Sequence, residues 1–283
     1  MNQYDMNIAG ISIRLQTDMP LEIGAHFAPF QTKPKEDPDE LFEIAMAGAF
    51  PEMPVPADWP HNFGHTRLNG HEVILRRLGD NAPYLMEEIY APGQHRVRYR
   101  TSSNEQPVSI GQVFRNLPLE EIFKRHDAMI LHSSLVRWNG KAILFSAPSG
   151  TGKSTQADLW ETYMGSETLN GDRSGLRKID GVWVAHGLPY AGSSGIYRNE
   201  SAPIAAIVML SQGPENVIEP LRPAQCLRKI FPEVTLHRWD PEFMDWGISQ
   251  ITDLVSSVPC YHLSCRPDRG AVELLRETIQ REG

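Results

Sequence analysis

Cysteine is scarce in this chain: Cys226, Cys260 and Cys265 are the only three in 283 residues. An odd count without framework spacing excludes a disulfide-stapled secreted domain and points to reduced thiols, as in cytosol. Long apolar runs are missing as well. No stretch approaches the roughly 18 residues that cross a bilayer, and Met1-Asn-Gln-Tyr-Asp5 is too polar to open a signal peptide. The expectation is a cytoplasmic protein. Nor is there a basic surplus. Net charge is −8, with no basic tail and no block of six like charges, which argues against a nucleic-acid binder or a membrane-surface binder. Metal-ligand patterns are thin. Cys260 and Cys265 flank Tyr-His-Leu-Ser, but C-x-H-x-x-C lacks a fourth ligand and alternates like a strand. His61 and His65 stand i, i+4, yet the Asn-Phe-Gly between them makes a turn and not the helix that would face both inward.

What is present suffices for a proper core: 41% of the residues are apolar, in one large domain or two smaller ones. Residues 1–115 read as a mostly β N-terminal domain of unassigned role, with substrate recognition as the working idea. Ile8 to Leu15, His71 to Arg77 and His95 to Arg100 each alternate as strands do. The Pro- and acid-rich stretch from Phe30 to Pro60 holds one apolar run, Leu41 to Met46, a strand or helical turn among loops. Leu117 to His126 predicts a helix that leads into the second part, residues 116–283.

That second part carries the chemistry. Ala147-Pro-Ser-Gly-Thr-Gly-Lys-Ser154 is a phosphate-binding loop with Ala147 in place of the usual first Gly. Ala142 to Phe145 predicts a strand before it, and Thr155 to Tyr163 a helix after it, which is the context the motif requires. Ser149, Gly150, Thr151 and Gly152 would curl the backbone so that its N–H groups meet phosphate oxygens. The N-termini of the following helix, at Lys153, Ser154 and Thr155, add partial positive charge. Lys153 would reach the outer phosphates of ATP, and the Ser154 hydroxyl would ligate Mg²⁺.

Upstream, Asn139-Gly140 is a hairpin signal. A two-residue turn there pairs Trp138 with Lys141, Val136 with Ile143 and Ser134 with Phe145, so His132 comes level with Ala147 at the mouth of the loop. A strand histidine bonded to backbone fits the register equally well. Downstream, Glu167 to Asn170 predicts a short strand finishing at Asp172, only 19 residues after Lys153. A phosphate loop needs such an acid for Mg²⁺. The short spacing requires this strand to lie close to the loop strand.

The block from about His126 to Arg276 resembles the C-terminal domain of HPr kinase/phosphorylase and, more distantly, ATP-dependent phosphoenolpyruvate carboxykinase. The likeness rests on Ser149-Gly-Thr-Gly-Lys-Ser154 after a hairpin, His132 on the preceding strand, Gly171-Asp172 about 20 residues after the Lys, the glycine-rich Gly187 to Gly195, and the run Pro203 to Leu210. It is most similar to the HPr kinase-like proteins of modified-peptide biosynthesis, in which Leu-x-Gly-Asp-Arg/Lys is the usual acidic strand. The resemblance implies an α/β (α+β) phosphate-loop kinase domain behind the β N-terminal domain. It implies ATP and Mg²⁺ as cofactors, Ser154 and Asp172 as metal ligands, and His132, Lys153 and Asp172 as catalytic residues. Arg198, in Gly195-Ile-Tyr-Arg-Asn199, is a further catalytic candidate as a cation for transition-state charge or substrate phosphate, an exposed loop arginine fitting equally well. One departure stands out: HPr kinases carry two adjacent acids, whereas in Gly171-Asp172-Arg173 the arginine sits where an acid is expected, there to contact the γ-phosphate or to pair with a carboxylate.

The leading expectation is a phosphotransferase acting on a Ser or Thr hydroxyl of a peptide or protein. A kinase for a free hydroxy amino acid could use the same site. A nucleotide-binding accessory protein without transfer is the reading the missing acid favours. Oligomeric state is left open, a homo-oligomer included.

Overall fold

The chain first reverses at Ala9-Gly10, both at positive φ (54° and 77°). The alternating stretch from Ile8 to Leu15 is therefore not one strand. It belongs to a hairpin, in which β1 (Asn2–Ile8) pairs antiparallel with β2 (Ile11–Thr17). A two-residue turn keeps the alternation almost in phase across the reversal, so the pattern hides it. The computed structural model describes every residue except 56–58, 60, 61, 80, 118 and 283. His61 lies outside the described residues, while His65 faces Glu72 across a hairpin at 3.5 Å.

The described chain divides into two units, Met1–Leu119 and Glu120–Gly283. In the first, the hairpin is joined by β3 (Glu40–Ala47), β4 (Phe63–Leu68), β5 (His71–Arg76), β6 (Leu85–Ala91) and β7 (Gln94–Arg100). They form one sheet in the order β1-β2-β3-β7-β6-β5-β4, followed by α1 (Ile110–Asn116). The run Leu41 to Met46 lies in β3, with Phe42 and Ile44 buried.

The second unit opens with α2 (Leu119–Arg125) and then a long strand, β8 (Ala128–Trp138). Asn139-Gly140, at φ 49° and 75°, turns it into β9 (Lys141–Ser146). The register is the expected one: Trp138 opposite Lys141, Val136 opposite Ile143, Ser134 opposite Phe145. There follow α3 (Lys153–Met164), β10 (Glu167–Asn170), β11 (Arg173–Ile179), β12 (Val182–Gly187), β13 (Ser201–Gln212), β14 (Val217–Pro220), α4 (Pro223–Ile230), α5 (Pro241–Ser257), β15 (Cys260–Cys265) and α6 (Arg269–Glu282). β9, β13 and β15 run parallel, and near-continuous apolar runs suit strands covered on both faces. On one face Ile143, Phe145, Val208 and Leu263 pack with Trp160 of α3 and Leu275 of α6. On the other, Leu144, Ile207 and Met209 pack with Ile230 of α4 and Leu254 of α5. The protein is thus mixed α/β, with a mostly β first part. Cys260 and Cys265 fall in these two opposite layers, and His262 bonds Ser211 at 2.9 Å, so the three side chains do not converge. No described helix is long and apolar enough to cross a membrane.

Candidate functional site

β9 ends at Ser146, and residues 147–152 turn directly into α3. Gly150 and Gly152 take φ of 79° and 118°, the left-handed steps that let successive N–H groups converge. Gly152 caps α3 and offers no side-chain bond to the helix, so the first-turn N–H groups stay available to an anion. Lys153 is buried at the start of α3, and its Nζ donates to Ala147 O at 2.8 Å and, more weakly, to Pro148 O at 3.4 Å. Burial lowers its pKa, against the raising effect of the Glu233 and Asp172 charges. Ser149, Ser154 and Thr155 are exposed, and a cavity of about 460 Å³ opens beside Gly150, Thr151 and Thr155, closed behind by Gln212, Cys265 and Arg266.

His132 sits where β8 changes neighbours. From Ser133 onward β8 pairs with β9 on one side. On its other side lie β10 and then β11, both antiparallel to it. The stretch bearing the acid therefore lies beside β8, the first hairpin strand, which places it one strand away from the loop strand β9. β10 also stops at Asn170, before Asp172. Gly171-Asp172 is an irregular step between two strands that share one neighbour. Ser133 N donates to Asp172 O (3.0 Å) and Ser134 Oγ to Gly171 O (3.1 Å), while the Asn170 side chain accepts from the N–H of both Asp172 and Arg173. Such interruptions re-aim a side chain. Here Asp172 Oδ1 comes to 3.7 Å from His132 Nε2, both about one-third exposed.

Two glycines shape this step. A Cβ on Gly171 would meet Ser194 Oγ at 2.1 Å, so the backbone just before Asp172 packs directly against Ser194. A Cβ on Gly192 would lie 2.7 Å from Asp172 Cγ. The glycine-rich segment after β12 is thus folded against Asp172, and Asn170 Nδ2 holds it by donating to Leu188 O and Tyr190 O. Arg173 places Nε 3.6 Å from Asp172 Oδ2 and its guanidinium over the Tyr190 ring. Arg198 is not brought in. It is exposed, its charge acts on Glu167, and no described hydrogen bond or ion pair links it to His132, Lys153 or Asp172.

One residue escaped sequence reasoning. Glu233 closes a 3-10 turn after α4, and its Oε2 lies 3.0 Å from His132 Nδ1 with the side chain only 10% exposed. Val234 bridges Leu131, and Thr235 N donates to Ile130 O at 2.9 Å. The segment thus takes up the edge of β8 that β9 leaves as it enters the loop. Phe-Pro-Glu-Val, eighty residues beyond Lys153, carries no local signal of this.

The donor set fits the groups expected. The positive-φ glycines, uncapped helix N-terminus and buried Lys153 suit the phosphates of a nucleotide. Mg²⁺ usually takes one or two protein oxygens plus phosphate oxygens and water. Ser154 and Asp172 are hard oxygen donors of that kind, so the absence of a described cluster of three His, Cys, Asp or Glu side chains is no obstacle.

Residues 98–268 match the family model of SynChlorMet cassette protein ScmC. The chain belongs to the ScmC family. Among solved structures, the HPr(Ser) kinase/phosphatase from Coxiella burnetii is similar at 13% identity with a TM-score of 0.30, over 54% of this chain and 88% of that one. No curated protein matches. For this ScmC-family chain the chemistry therefore has to come from its own side chains.

Proposed function

We propose that this protein is an ATP- and Mg²⁺-dependent phosphotransferase that moves the γ-phosphate of ATP to a Ser or Thr hydroxyl of a peptide or protein. The observation that carries this reading is the meeting of three elements at one point of β8. The loop lysine feels the charges of Asp172 and Glu233, and His132 lies between those two carboxylates. Loop amides and Lys153 would bind the β- and γ-phosphates. Mg²⁺, held by Ser154 and Asp172, would neutralise charge on the transferring group. The acceptor O–H gives its proton to His132 Nε2 as its oxygen bonds the γ-phosphorus. The bond from that phosphorus to the β–γ bridging oxygen breaks, and ADP leaves. Asp172 is the other group within reach of that proton, but a metal-bound carboxylate is a weak base whereas imidazole suits neutral pH.

A nucleotide-binding accessory role is favoured by one observation, Arg173 standing where a second acid is expected. Glu233 weighs against it, because it supplies a second carboxylate from another element. The test is incubation with ATP, Mg²⁺ and an acceptor panel made of peptides from the cassette named in the family description, plus free serine and threonine. One phosphate is gained by a peptide if the reading holds, and Asp172→Asn abolishes the gain. A gain on the free amino acids alone would move the substrate to small molecules. Nucleotide binding is checked separately. At 100 times its Kd, MgATP adds about 2.7 kcal/mol of stability, and Lys153→Ala should lose most of the resulting thermal shift. A full shift in Lys153→Ala would remove the phosphate-loop assignment.

A further inference from the structure

We infer that Glu233 is a positioning residue for His132. Its carboxylate takes the Nδ1–H of the imidazole and so aims the Nε2 lone pair at the acceptor hydroxyl beside Asp172. The inference rests on the phosphotransferase reading for its function, though not for its geometry. A neutral imidazole has one N–H to give, and two carboxylates flank this one. Glu233 Oε2, at 3.0 Å, is within hydrogen-bond distance of Nδ1, whereas Asp172 Oδ1, at 3.7 Å from Nε2, is not. The proton therefore belongs on Nδ1. Nε2 and Asp172 then present lone pairs to the same gap, a place suited to an incoming O–H donor. An orienting carboxylate behind a catalytic imidazole is a recurrent device. Here it arrives on a different element from the acid that faces the substrate.

The support behind Glu233 is equally specific. Ser146 Oγ donates to His132 O at 2.9 Å, tying the histidine backbone to the start of the phosphate loop. Val234 and Thr235 are stitched to Leu131 and Ile130. His237, four residues on, is clasped by Glu120 and Glu121 of α2 at 3.4 and 2.6 Å. The turn that carries Glu233 is thus anchored just beyond the carboxylate, at Val234, Thr235 and His237.

The test reads the tautomer directly in the full chain labelled with ¹⁵N-histidine, the His132 signals being assigned by their loss in His132→Gln. Wild type should show the Nδ1–H tautomer, and Glu233→Ala should shift it toward Nε2–H. With water as acceptor, ADP release from MgATP should fall in Glu233→Ala by about 10²-fold, while KM for ATP and the MgATP thermal shift stay near wild type. Glu233→Gln keeps an accepting oxygen and should restore the tautomer and part of the turnover. An Nε2–H tautomer or an imidazolium in wild type would overturn the inference, as would an unchanged tautomer in Glu233→Ala. If Glu233→Ala does not fold, the wild-type spectrum and the Gln variant decide by the same criteria. The tautomer is read without turnover. A wild type that binds no nucleotide would therefore defeat the phosphotransferase reading and leave the Glu233 result to stand or fall separately.

Discussion

Gly192 shows how a residue without a side chain can hold one in place. It sits at φ 53°, and the space where its Cβ would go is already filled by the Asp172 carboxyl group. Gly192→Ala should therefore act twice. The left-handed backbone costs an alanine about 1–2 kcal/mol, lowering the melting temperature modestly. The added methyl also pushes on Asp172, the group paired with His132 and Arg173. Phosphate transfer should fall by an order of magnitude or more while the MgATP thermal shift survives, since the phosphate loop is on another segment. Transfer at the wild-type rate in a folded Gly192→Ala protein would show that Asp172 need not stay where it is.

At the scale of elements, β8 organises the site, and the segment from Phe231 to Asp240 completes it. His237 is the anchor of that segment. Burial disfavours its charged form, but hydrogen bonds to Glu120 and Glu121 outweigh this and hold its pKa up at about 9. A folded value above the unfolded 6.5 means stability is fully present below pH 6.5 and is lost as pH rises through 9. His186 on β12 is the opposite case. Burial first, and Arg177 second, push it down to about 4. Its contribution is present above pH 6.5 and is lost as pH falls toward 4. At about 1.4 kcal/mol per pKa unit, each limb is worth at most roughly 3–4 kcal/mol. Denaturant midpoints against pH should show both limbs. His237→Gln should flatten the alkaline limb and leave the acid one, and His186→Gln the reverse. An alkaline limb that persists in His237→Gln would assign it to another group.

Over the whole molecule the two units differ in what they bury. The first encloses His95 completely, with Glu40 on Nε2 and Glu87 2.9 Å from Nδ1. The second places His132, Asp172 and Glu233 together at the loop mouth. A ligand that binds only the phosphate loop stabilises the unit that contains the loop. Hydrogen exchange with saturating MgATP should therefore slow amides of β8, β9 and α3, while protected amides of β5, β6 and β7 keep their rates. Equal slowing in both units would mean that nucleotide binding is felt by the whole chain.

Much of the loop and its hairpin could be read directly from residues 128–164. Asn139-Gly140 sets the register by itself, because a two-residue turn leaves no freedom in which residues face each other. The Gly-x-Gly-Lys-Ser run dictates its own backbone. His132 at the loop mouth followed from counting. The strand that carries Asp172 did not, because spacing limits only distance along the chain, and pairing with β8 or β9 meets that limit equally well. The reversal at Ala9-Gly10 was hidden by alternation that continues across it. Glu233 was beyond reach for a deeper reason. It meets His132 at a separation of 101 positions along the chain, through a strand edge that is vacant only because β9 turns away into the phosphate loop. Local composition determines local backbone, but which carboxylate finds which imidazole is settled when sheet edges are filled, and only the tertiary structure decides that.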